Sequence, residues 1–458
     1  MTHNHARHGT AGAFALRTLR SRGVVLRACF GLTGWTTSVL WTSSAHASGG
    51  TDASSTGRVV LLALVVGAAY LVLRIGLERV RQKVLGVAGA EHLLLGVLLG
   101  PVILGLGVFA EPNHLVPFAA VAAGWVGLSC GTDFNLRALS DPPRGGPRLG
   151  VLSALVCGFA VAIGARAVFT SGWLGQVAAE DAWLTAGWMG CAAAAASTTP
   201  IEVVRGRYET GDALALLLRR STRFANMLAI MAFGVLACVF RPGYGLEDRP
   251  LSPVELAVVA VGLGAVLGLV LSPFLGQVES LAGRVLVLAS MVSFATGAAH
   301  WLGLSPLWVN LTMGAVLVNT SLVNDRMIEA VRAANPSGTL VLLVLAGAIW
   351  NPPPLVPAIV VTIGFVGLRF IGRMAASWFV AKWLAPMRRD TGRGMLGQGE
   401  VAVALAIMFH VGNEGPLVDI GYTAILASVV LHDLVAPWAL RGLLLDAGEM
   451  RGTAEAKV

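Results

Sequence analysis

Gly397-Gln398-Gly399-Glu400-Val401-Ala402-Val403-Ala404-Leu405 places one carboxylate and two glycines in a segment otherwise apolar enough to span a bilayer. A carboxylate at the bilayer centre costs roughly 2.5 to 3.5 kcal/mol on insertion scales, and it persists where it faces a polar cavity or a partner. Glu400 therefore points to a pathway across a membrane. The flanking glycines permit non-helical backbone, so the span is expected to be interrupted at Gly397 and Gly399.

The rest of the chain fits that expectation. Of 458 residues, 55% are hydrophobic and 13% charged, and 56 are glycine, the composition of an all-α polytopic membrane protein. Apolar windows of about 20 residues recur along the whole length, with no polar stretch long enough for a separate soluble domain. The five cysteines, Cys29, Cys130, Cys157, Cys191 and Cys238, fall in different apolar segments without the spacing of a metal site or a disulfide framework. The net charge of +8 sits in short loops between spans, which indicates membrane topology rather than nucleic-acid binding.

Residues 1–47 carry Arg7, Arg17, Arg20, Arg22 and Arg27, then the apolar run Cys29 to Trp41, then Ala45-His46-Ala47. That order predicts a signal peptide cleaved after Ala47, with an uncleaved extra helix as the alternative. His3, His5 and His8 precede the cleavage point and are not read as metal ligands. Residues 48–440 form the membrane domain and 441–458 a short tail. Thirteen spans are expected, centred on 59–77, 90–108, 114–132, 149–169, 182–203, 213–240, 253–272, 281–299, 304–320, 337–350, 355–381, 394–411 and 418–440. Lys and Arg crowd the loops near Arg79, Arg144, Arg205, Arg326 and Arg388 and the tail after Leu440, whereas the opposite side holds only Arg58, Arg241 and Arg249. The positive-inside rule then puts the mature N-terminus outside and the C-terminus in the cytoplasm.

An odd span count admits two inverted repeats of six joined by a linking span, the plan of many secondary transporters. The fifth and twelfth spans occupy matching positions, and both carry helix-disrupting residues: Ser197-Thr198-Thr199-Pro200 in one and Gly397-Gln398-Gly399 in the other. Matched interruptions predict two discontinuous helices that converge near the midplane.

Six motifs in order give the chain a resemblance to the monovalent cation:proton antiporters, the sodium or potassium/hydrogen exchanger superfamily. They are Glu91 to Pro101, ending in Leu98-Leu99-Gly100-Pro101; Gly131-Thr132-Asp133-Phe134-Asn135-Leu136-Arg137; Ala196-Ser197-Thr198-Thr199-Pro200; Gly303-Leu304-Ser305-Pro306-Leu307; Arg369-Phe370-Ile371-Gly372-Arg373; and Gln398-Gly399-Glu400-Val401-Ala402-Val403. The resemblance implies a homodimer built on a scaffold, a six-helix core with two crossed broken helices, and exchange of Na or K for protons. It also implies a carrier aspartate on the sixth span. Here the stretch runs Phe224-Ala225-Asn226-Met227, and Asn226 stands where that aspartate belongs. An amide lends a carbonyl oxygen to a cation but does not exchange a proton near neutral pH.

Other groups compete for the vacant role. Glu202, just past the fifth-span interruption, is read as the titrating carrier, as a structural partner of a nearby arginine, or as a cytoplasm-facing side chain. In the carrier case Asn226, Thr198 and Thr199 supply neutral oxygens. Asp133 is a helix-end anchor or a transport residue, and Glu400 a pathway residue or a structural one. Arg373 and Arg369 lie within span eleven, where they neutralise an ion-free core or pair with Glu202 or Glu400. His300, His410 and His432-Asp433 are expected to form interfacial hydrogen bonds. No phosphate-cradling loop, His-Glu-x-x-His or nucleophile-base arrangement occurs, so an enzyme or ATP-driven pump is not expected, nor is any cofactor. The function expected is secondary active exchange; the alternative is a transport-inactive relative serving as a sensor or assembly partner.

Overall fold

The computed structural model describes residues 89–100, 115–136, 145–174, 177–208, 210–240, 245–246, 249–320 and 324–450. The expected signal peptide and first span lie outside the described residues, as does the end of the tail. In chain order the helices are α1 Ala90–Leu99, α2 Val116–Thr132, α3 Gly145–Phe169, α4 Ala179–Ala194, α5 Thr199–Arg207, α6 Ala213–Phe240, α7 Pro253–Gln277, α8 Leu281–Trp301, α9 Pro306–Thr320, α10 Asn324–Ala348, α11 Leu355–Trp383, α12 Glu400–Gly412 and α13 Pro416–Asp446. A 3-10 turn at Thr391–Met395 precedes α12, and Gly245–Leu246 pairs with Arg249–Pro250 in a short antiparallel ribbon. Among the described residues, seven helices are long and apolar enough to cross a membrane, and Val116–Thr132 and Glu400–Gly412 are shorter apolar ones.

Local chemistry sets the helix ends. Ser252 accepts from the Glu255 amide at 3.3 Å while the Glu255 carboxylate accepts from the Ser252 amide at 2.8 Å, a reciprocal cap that starts α7. Ser280 likewise caps α8 by accepting from Gly283 N. Pro200 falls in the first turn of α5, where the missing amide donor would have no intrahelical partner. It therefore marks the start of a helix rather than a kink inside one. The tenth span, expected from residue 337, begins at Asn324 and continues through Pro336, because its polar first turns are helical without being apolar.

The described helices pack as two bundles. One joins α1, α2, α7, α8, α9 and α10, and the other joins α3, α4, α5, α6, α11, α12 and α13. Without a hydrophobic drive between helices in lipid, close packing relies on small residues. The α2–α9 contact follows that rule: a Cβ on Gly131 would lie 2.2 Å from the Leu311 carbonyl oxygen, and one on Gly314 2.5 Å from that of Leu128. Between the bundles, α12 lies against α2 and α10, and α6 lies against α2, α7 and α9. On the loop beyond α11, outside the spans, the hydrogen bond from Arg388 holds the Asp390 carboxyl below its ordinary range.

Candidate functional site: the crossing of two interrupted helices

Helix α4 stops at Ala194, and Ala195 is extended; α12 starts at Glu400 from an extended Gly399. The two unwound strands cross in direct contact. The Ser197 amide donates to the Gly397 carbonyl at 3.0 Å. A Cβ on Gly399 would come 2.7 Å from Ser197 Oγ, and one on Gly397 2.7 Å from Pro200 Cγ. Both glycines are thus required by close approach.

Interrupting a helix frees the last carbonyls of the first half, which have no intrahelical partner and carry the negative end of its dipole. Two arginines supply donors. Arg369 and Arg373 are both fully buried and lie four residues apart on α11, hence on one face. Arg369 donates to Ala193 O (3.2 Å), Ala195 O (2.9 Å), Leu396 O (2.5 Å) and Gly397 O (3.0 Å), joining the ends of both interrupted segments. Arg373 donates to Ala194 O (2.8 Å), Ala195 O (2.7 Å) and Ser153 Oγ (2.5 Å). The pairing with Glu202 or Glu400 expected for these arginines is not made; carbonyls take its place. Gln398 extends the network, donating to Ala192 O at 3.1 Å and accepting from Ser428 Oγ at 2.5 Å, while His432 Nδ1 lies 2.8 Å from Ser428 O.

At the start of α5, Ser197 Oγ accepts from the Thr199 amide at 3.1 Å and donates to Thr199 Oγ1 at 2.9 Å, with Thr198 at the N-cap. Asn226 Oδ1 accepts from Ala196 N at 2.8 Å, so the neutral amide on α6 holds the unwound strand directly. Thr198, Thr199, Asn226, Gly399 and Glu400 are all partly accessible.

The carboxylates separate by environment. Glu202 pairs with Arg219 at 2.7 Å, and its side chain is 59% exposed. Asp133, at the end of α2, pairs with Arg223 at 3.1 Å. Glu400, in the first turn of α12, accepts a short hydrogen bond from Thr339 Oγ1 of α10, and no arginine or lysine among the described residues pairs with it. Thr339 went unnoticed in sequence, as did Asn335, which donates to Ser129 Oγ and accepts from Trp125 Nε1 across the α2–α10 contact. The one signal for them was the polar cluster Asn335-Pro336-Ser337-Gly338-Thr339 at the start of the tenth expected span. His410 stacks on Tyr422 and lies 3.7 Å from Asp419. A small, mainly apolar cleft opens beside Phe233 and Phe240 of α6, Leu304 and Phe409. Asn226, Phe233 and Phe240 are spaced by sevens, so the cleft follows the face of α6 that carries Asn226.

This arrangement of helices is similar to that of a solved membrane protein. The structure of the sodium proton antiporter MjNhaP1 from Methanocaldococcus jannaschii at pH 8 superposes with a TM-score of 0.59 at 16% identity, covering 83% of this chain and 99% of that one. The electron-microscopy map of the same antiporter gives 0.56 at 16%, covering 86% and 99%. The chain has the antiporter fold. No family known by its sequence pattern and no curated protein matches it. At this identity the likeness is one of fold alone.

Proposed function

We propose that the chain is a secondary active transporter that exchanges a monovalent cation, Na or K, for protons across the cell membrane by alternating access, one bundle moving against the other. The observation that carries this is the crossing: unwound backbone at membrane depth persists only where it is buried in protein or lines a polar cavity, and here the side chains of Thr198, Thr199, Asn226 and Glu400 around it are partly accessible. MjNhaP1, whose fold the chain shares, is a sodium proton antiporter. The mature N-terminus lies outside and the tail in the cytoplasm, and the working unit is a homodimer.

The pairing around the crossing favours Glu400 as the carrier. Asp133 pairs with Arg223 and Glu202 with Arg219, whereas Glu400, in the first turn of α12 where a carboxylate is favoured, has no arginine or lysine partner among the described residues. It holds one cation or one proton at a time, with Thr198, Thr199 and Asn226 as neutral oxygen donors nearby. Glu202→Gln is expected to keep cation-driven proton flux in proteoliposomes within about fivefold of wild type, because an exposed ion pair contributes about 1 kcal/mol at most. Loss of exchange in Glu202→Gln with retention in Glu400→Gln would reverse the assignment.

Asn226 favours a second reading, a transport-inactive relative acting as a sensor or assembly partner. A carrier carboxylate is replaced by an amide already committed to Ala196 N. That reading requires wild type to show no cation-dependent proton flux.

A further inference from the structure

We propose that the Asp133–Arg223 ion pair is the releasable tie between the two bundles: it forms in one access state and breaks in the other, so that its strength sets the balance between them. The inference rests on the alternating-access reading above.

Helix α6 carries a stripe of three contacts. Arg219, Arg223 and Asn226 lie at i, i+4 and i+7, one face of a helix, and each is bound to a different element. Arg219 reaches Glu202 of α5, within the same bundle. Arg223 reaches Asp133 at the end of α2, in the other bundle, at 3.1 Å. Asn226 accepts from Ala196 N in the unwound strand. The tie is therefore one helical turn from the residue that holds the crossing.

The next residues repeat the junction: Phe134 meets Phe224 edge to face with ring centroids 5.6 Å apart. A charge and a ring from the end of α2 thus meet a charge and a ring from α6. On the α2 side the strand is anchored to its own bundle, since Asn319 of α9 donates to Phe134 O at 2.7 Å and accepts from Leu136 N at 2.9 Å. Movement of the α6 bundle accordingly loads the Asp133–Arg223 contact rather than dragging the α2 end with it. Both side chains are partly exposed, 41% for Asp133 and 36% for Arg223, so water can solvate the separated charges. A fully buried pair would be far costlier to open. Other contacts between the bundles among the described residues include the neutral hydrogen bonds from Trp350 Nε1 to Thr423 Oγ1 and from Tyr422 Oη to Ala346 O.

The test introduces Thr199→Cys as a reporter at the crossing. A membrane-impermeant maleimide is applied to either face of oriented vesicles, and labelling of residue 199 is read by mass spectrometry. Asp133→Asn and Arg223→Gln should each shift the ratio of labelling from the two faces in the same direction, by about three- to fivefold, the shift a partly exposed ion pair can bias. The charge-swapped double variant Asp133→Arg, Arg223→Asp should return the ratio to that of wild type. Unchanged ratios in the single variants, or a swap that adds their effects instead of cancelling them, would overturn the proposal. Labelling needs no transport activity, so a chain that carries no ions but shifts its ratio would refute the exchanger reading and leave the tie standing.

Discussion

Arg369→Met is expected to be the most damaging single substitution in the chain. It removes the bonds to Ala193 O, Ala195 O, Leu396 O and Gly397 O; Ala193 O and Ala195 O keep Arg373 and Gly397 O keeps the Ser197 amide, so the buried Leu396 O loses its donor and the tie between the two strands is lost. Leaving a buried acceptor unpaired costs about 1 to 3 kcal/mol, and the charge-assisted bonds to the shared carbonyls are lost besides, so the total loss is about 3 kcal/mol. Arg369→Lys should recover little, because one ammonium cannot present the planar fork that reaches two separated strands. Arg373→Met should cost less, because Ala193 O and Ala195 O keep the guanidinium of Arg369 and the strand before α12, which Arg369 holds through Leu396 O and Gly397 O, is untouched. Thermal unfolding in detergent orders the three variants, and an Arg369→Met protein as stable as wild type would refute this account of the crossing.

Glu400→Gln carries the largest expected effect on function. The amide has nearly the same shape and can still accept from Thr339, so the fold should survive. It has no proton to exchange at physiological pH and no charge to offer a cation, and cation-driven proton flux should fall to background. Thr339→Val removes a hydrogen bond to a charged group, a loss of about 1.5 to 3 kcal/mol. It should therefore weaken apparent cation affinity by about tenfold or more while leaving some exchange. Stable Glu400→Gln protein with undiminished flux would move the carrier role elsewhere, to Asp133 first.

The positions of the two interruptions were legible because they are local chemistry. Glycines beside a carboxylate, and a Ser-Thr-Thr-Pro run inside an apolar segment, break a helix whatever surrounds them. What the freed groups bind was not legible. Arg369 and Arg373 stood out as charges within a span, yet a charge in sequence suggests an opposite charge as its partner. The partners turned out to be backbone carbonyls, which become available only once α4 and the strand before α12 have unwound beside α11. Glu202 sits two residues from Pro200, which suggested a place in the crossing; the turn of α5 carries it to Arg219 instead. Thr339 gave no signal of its own, since a threonine one turn into an apolar run is common, and it acquires meaning only when α10 brings it against Glu400. The ion pair of Asp133 joins segments that nothing in their local sequence relates.

Exchange itself is tested most directly with the purified wild-type chain in proteoliposomes, following internal pH on imposing sodium, potassium or lithium gradients in turn. The account predicts proton movement opposite to the cation for at least one of the three, abolished in Glu400→Gln prepared in parallel. Wild-type vesicles that hold their internal pH against all three gradients would contradict it.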